Sequence, residues 1–196
     1  MRAPLLAAAL AVAAVASIRA AEMTVQERSH LVAHLQMTGG WLVDEVSTLT
    51  PQQLAFRPSA DSWTIMQVLE HLVVVGPIYW NDLQKSLRGK PSPPLATSGD
   101  ANILWYGIDR AWREKAIPSE VPPGKLKDLK EGLEAYRKQH TQLLEYIRTT
   151  KDDLRGHHVD RQGCDAYQWA LLISTHEQRH ILQIREIKAH PNFPIK

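Results

Sequence analysis

The sequence predicts an all-α protein, a four-helix bundle with a short extra helix between the second and third long helices. Three observations carry that expectation. Leu126, Leu129, Leu133, Tyr136, His140, Leu143 and Ile147 follow unbroken steps of three and four residues, the narrow apolar seam of a helix facing a bundle core. The stretches "RGKPSPPLATSGD" and "IPSEVPPG" interrupt long helical runs with turn-forming residues. Nowhere do apolar and polar residues alternate between hairpin signals, so no strand is expected, and no internal repeat is visible.

Residues 1–20 read as a signal peptide and residues 21–196 as the bundle domain. Arg2 precedes the apolar run "APLLAAALAVAAVASI", and small or apolar residues lead to a cut at Ala20. A membrane anchor needs about 20 apolar residues, and this run is shorter and Ala-rich. The protein is therefore expected to be exported, periplasmic or secreted, with no membrane attachment after cleavage. Removing the leader removes Arg2 and Arg19 and no acid, so the 23 Lys+Arg fall to 21, equal to the 21 Asp+Glu. No basic block remains to suggest nucleic acid. Cys164 is the only cysteine, which excludes an intrachain disulfide, and packing alone must hold the fold.

Thr24 and Glu27 form a capping box that opens the first helix, which extends to about Leu49 with a weak point at Gly39-Gly40. Thr50 caps a short turn with Pro51 at its first position, and Pro58 ends it. The second long helix begins near "DSWT" and extends to about Leu87, with a kink expected at Pro77. A shorter helix covers roughly residues 101–115, and the third long helix roughly 125–150. The fourth starts after Gly163, capped by Asp165, and reaches about Ala189; Pro191 and Pro194 close the chain.

The fourth helix holds His176-Glu177-Gln178-Arg179-His180, a literal H-E-x-x-H. Residues i and i+4 share a helix face, so both imidazoles can aim at one ion. They continue the inward stripe of Trp169, Ile173 and Ile187. The plainer reading is two buried histidines bonded to neighbours, but two adjacent core imidazoles satisfied that way would be costly. The zinc-peptidase reading is disfavoured. Gln183 and Glu186 stand where a third-ligand motif needs Gly and His, and only sixteen residues follow His180. His71, in "VLEHLVVV", lies on the second helix with Thr64, Val68, Val75 and Ile78. Three neutral imidazoles around a divalent ion leave its charge uncompensated and a position open to water, whose pKa then falls towards about 7.

"SADSWTIMQVLEHLVVV" followed by "HEQRHILQIREIKAHPNFP" resembles the DinB-like, or YfiT-like, metal-binding four-helix bundles. "LTPQQLAFRPSADSWT" and "AIPSEVPPG" extend the resemblance over most of the mature chain. It implies His71, His176 and His180 as ligands of a zinc or nickel ion with open positions, and it implies that dimers are common. The family's assigned reactions include thiol-dependent transfers, an isomerisation and hydrolyses. An exported protein meets little low-molecular-weight thiol, so the expectation here is metal-dependent hydrolysis or group transfer on a small molecule, or metal binding without turnover.

Other residues carry smaller expectations. His140 interrupts the apolar seam as a fourth ligand, a proton shuttle or, the reading preferred, a boundary residue bonded to a carbonyl. His157 and His158 are expected at the surface, Cys164 as a small buried residue and Trp63 as a packing anchor. Glu70 and Glu177 are expected to be solvated or to support the ligands beside them rather than to catalyse.

Overall fold

Each long helix starts where a side chain takes up otherwise orphaned backbone donors. Reciprocal capping boxes at Thr24–Glu27, Thr50–Gln53, Thr64–Gln67 and Asp165–Gln168 open α1 (Val25–Val46), α2 (Pro51–Ala55), α3 (Ile65–Leu87) and α6 (Ala166–Lys188). Asp128 caps α5 (Leu129–Thr149) by accepting from the Glu131 amide at 2.9 Å. α4 (Ser98–Ile108) is the short extra helix. These elements come from a computed structural model that describes residues 23–93, 95, 98–161 and 163–195. The expected leader, residues 1–20, lies outside the described residues.

The four long helices form a ring in which α1 meets α6, α6 meets α3, α3 meets α5 and α5 returns to α1, while α4 lies along α6. Among the described residues, no helix is long and apolar enough to cross a membrane. The apolar interior falls into two clusters. One gathers Leu31, Leu35, Val75, Tyr79, Leu143, Trp169 and Ile173. The other gathers Leu42, Val68, Leu72, Leu133, Tyr136, Ile181 and Ile184.

The boundaries differ from expectation where tertiary contacts intervene. The third long helix begins at Leu129 rather than near residue 125, because Glu70 takes the preceding backbone. Its carboxylate accepts from the amides of Gly124 (2.8 Å), Lys125 (2.5 Å) and Leu126 (3.1 Å). Glu70 is therefore buried and fully engaged, not solvated. The extra helix spans 98–108 rather than 101–115. Arg179 of α6 donates to the carbonyls of Tyr106 (3.0 Å), Asp109 and Trp112, gathering the chain beyond α4 around one guanidinium. A cation there also complements the negative end of the helix. The absence of strands is corrected by a minimal antiparallel pair, β1 (His158–Val159) and β2 (Cys164–Asp165), too short to leave an alternating pattern. His158 sits in it and His157 just before it, both half-buried rather than exposed, with His157 Nδ1 donating to the Ser86 carbonyl at 3.1 Å.

α3 continues unbroken through Pro77, and Gln139 of α5 donates to the Leu72 carbonyl at 2.8 Å in the turn before it. α1 likewise continues through Gly39-Gly40. Gly39 is where α1 and α5 approach: a Cβ there would lie 2.5 Å from His140 Nε2. Gly39→Ala gains up to about 1 kcal/mol of helix propensity but must displace a packed imidazole, an overpacking cost of about 1–3 kcal/mol. Net destabilisation in urea unfolding is the expected result, and a stabilised variant would show that His140 yields freely.

Arg155 ties three elements together. It is 7% exposed and donates to Glu27 at the start of α1 (2.7 Å), Asp100 in α4 (2.7 Å) and Asp165 at the cap of α6 (3.0 Å). Its guanidinium also lies 3.9 Å from the Tyr167 ring centroid.

Candidate metal centre

His71 points inward from α3, and His176 and His180 occupy successive turns of one face of α6. All three are buried, at 2%, 6% and 8% exposure. His176 Nε2 lies 3.3 Å from His71 Nε2 and 3.1 Å from His180 Nε2. Two nitrogens bound tetrahedrally to zinc at about 2.0–2.1 Å would be about 3.3–3.4 Å apart. The observed separations are close to that spacing. Among the described residues, these three form the group whose ligand atoms, all within 4.8 Å of one another, could hold a metal ion.

The outer ring nitrogens explain why the inner ones converge. His71 Nδ1 donates to the Glu120 carbonyl at 2.7 Å, and His180 Nδ1 to Gln183 Oε1 at 2.8 Å. A proton held on Nδ1 leaves the lone pair on Nε2 and fixes the ring orientation. Glu120 is the last residue of the 3-10 turn Pro118–Glu120, and its carboxylate pairs with Arg161, which holds that turn against the site. Trp63 is the expected packing anchor, and what it packs on is the site: its ring lies 4.9 Å from His71 and 6.3 Å from His180, centroid to centroid.

Burial depresses all three imidazoles. His176 falls to about 3, chiefly by desolvation and then by the positive potential of its neighbours. His180 falls well below the ordinary range and His71 falls as well, both first by desolvation. Neutral imidazoles are what a cation requires. The same shifts set a pH dependence. These groups bind fewer protons folded than unfolded, so their contribution to stability is complete above the ordinary histidine value of about 6.5. It is lost as pH falls from there towards about 3. Chelator-stripped protein followed by circular dichroism is expected to lose stability progressively over that window, and a flat profile would contradict neutral burial.

His140 does not join the three. Its Nδ1 lies 3.2 Å from Glu177 Oε1 and 3.3 Å from the Tyr136 hydroxyl, and the Leu35 carbonyl is a further partner. The expected carbonyl contact is therefore present, and a carboxylate contact is added. Burial alone would lower His140, but Glu177 reverses the sign and raises it. Glu177, expected to be solvated or supportive, is 6% exposed and also accepts from Thr38 Oγ1 at 2.8 Å. Since α5 and α6 lie diagonally across the ring, the His140–Glu177 pair bridges the bundle's centre. Cys164 is the buried small residue expected, its thiol pushed up to about 12 by burial.

The DinB superfamily profile matches residues 34–184. The chain belongs to the DinB superfamily. YuaE of Bacillus subtilis strain 168, an uncharacterized protein, is 27% identical over 149 residues, which cover 74% of this chain and 89% of YuaE. A solved structure, YfiT from Bacillus subtilis, is described as a probable metal-dependent hydrolase with an unusual four-helix bundle topology. It superposes with a TM-score of 0.60 at 17% identity, over 88% of this chain and 91% of YfiT. That likeness establishes the all-α DinB-type bundle.

Proposed function

We propose that this DinB-superfamily protein holds a divalent ion, zinc or nickel, on His71, His176 and His180, and that it acts there as a hydrolase or group transferase on a small molecule. The observation that carries the reading is the convergence of three neutral Nε2 atoms whose rings are held from behind by Glu120 and Gln183. A divalent ion in that setting supplies Lewis-acid chemistry and acidifies water near neutral pH. The chain's part is to keep the imidazoles deprotonated, to hold their orientation, and to exclude bulk solvent with Trp63, Tyr79 and the surrounding apolar residues. Turnover, rather than metal binding alone, is supported by the position of His140. It pairs with Glu177 and so does not serve as the fourth ligand that would close the site. The description of YfiT points the same way. The leader-like residues 1–20 support export, with the reaction outside the cytoplasm.

Protein purified without chelator or affinity tag is expected to carry about one zinc or nickel per chain and to turn over some member of an ester, amide and thiol-conjugate panel only when loaded. Folded protein that takes up neither metal would refute the reading. Full metal occupancy with no turnover would leave a metal-binding protein without catalysis.

A further inference from the structure

α3, α5 and α6 enclose a cavity of about 140 Å³ whose wall includes His176, so it adjoins the three-histidine cluster. Leu72, Val75, Trp80, Leu143 and Ile173 make most of that wall apolar. Its charged lining groups are Glu177 and His140, which already satisfy each other at 3.2 Å. A lone anion or cation entering this space would give up its hydration without finding an unpaired counter-charge. An apolar cavity of about 150 Å³ holds a benzene molecule, so the space suits about six non-hydrogen atoms.

Beside the polar atoms of Tyr79, Trp80, Gln139 and Gln142, the wall offers such an occupant a group that belongs to the histidine cluster itself. His71 and His180 have their Nδ1 atoms engaged by Glu120 and Gln183. His176 turns Nε2 towards the other two rings, and among the described residues no hydrogen bond is seen at its Nδ1. With Nε2 committed to the cluster, the Nδ1 proton is a donor on a residue that lines the cavity.

We propose that this cavity is a substrate subsite for an uncharged, compact apolar group of about six non-hydrogen atoms that carries a carbonyl-type oxygen, which accepts a hydrogen bond from His176 Nδ1. The assignment rests on the three-histidine cluster being the reaction centre. An occupant bonded to His176 supplies the support from behind that the other two rings take from the protein. By linkage, occupancy and metal affinity then strengthen each other.

Cyclopentanone is the neutral probe, with butyrate and cyclopentylamine as an anion and a cation of the same atom count. In protein labelled with nitrogen-15 at histidine and tryptophan, zinc-loaded and chelator-stripped, cyclopentanone is expected to shift the His176 Nδ1 and Trp80 indole resonances saturably. The charged probes are expected to shift neither at equal concentration. Ile173→Phe fills the space and is expected to weaken cyclopentanone by at least about tenfold while leaving zinc content unchanged. Val75→Leu gives the same readout should the first variant not fold. The subsite is refuted by the absence of a saturable shift at His176, by equal binding in the filled variant, or by equal binding of butyrate. Failure of the metal reading looks different: zinc is not retained, yet the stripped protein still binds cyclopentanone at His176.

Discussion

Replacing His176 by alanine is expected to abolish stoichiometric metal while leaving the helical fold intact. His176 is the hub of the cluster, since its Nε2 faces both other rings at 3.1 and 3.3 Å. Loss of a supporting group behind a metal ligand typically costs 10–100-fold in affinity. Loss of a ligand itself is therefore expected to exceed about a hundredfold, and any metal-dependent turnover should fall with it. Metal analysis after dialysis, paired with circular dichroism, separates a lost ion from a lost fold. A variant that keeps one ion per chain would place the site elsewhere.

The second large effect lies far from the histidines. Arg155→Met is expected to destabilise the protein by about 3–5 kcal/mol, because it removes the cation from a largely buried cluster of three carboxylates. Asp165 is fully buried and Glu27 and Asp100 are about a quarter exposed, so the carboxylates cannot all recover their hydration in place. Two of them also start helices: Glu27 completes the capping box of α1, and Asp165 caps α6. Urea or thermal unfolding measures the loss. A change below about 1 kcal/mol would reduce the cluster to the level of an exposed ion pair.

Much of this was readable from the chain. His176 and His180 reveal themselves because helical period alone puts them on one face. His71 lies 105 residues earlier and joined them through its own apolar stripe and the resemblance of the flanking stretches. What supports the rings was less accessible. The acceptor for His71 is a backbone carbonyl, which carries no side-chain signature, and it belongs to Glu120 in a stretch read as a plain loop. The His140–Glu177 pair depends on how α5 and α6 are rotated about their axes, which periodicity does not specify. One signal did point there: Gly39 is a glycine inside a helix, and a missing Cβ marks a close approach. The early end of α4 follows from Arg179, whose place between His176 and His180 in the H-E-x-x-H stretch gives no sign that it reaches the carbonyls beyond that helix.

The division of the interior into two apolar clusters gives the histidine layer a mechanical meaning. On α6, Ile173 belongs to one cluster and Ile181 to the other, and His176 and His180 occupy the gap. On α3, Leu72 and Val75 flank the same gap beside His71. An ion there would rivet two half-cores whose shared boundary is otherwise built from imidazoles together with Thr38 and Glu177. At a free concentration one hundred times its dissociation constant, it would add about 2.7 kcal/mol. Stripped of it, the upper and lower halves should breathe independently, so amide exchange near the seam would report occupancy before any assay for a reaction exists.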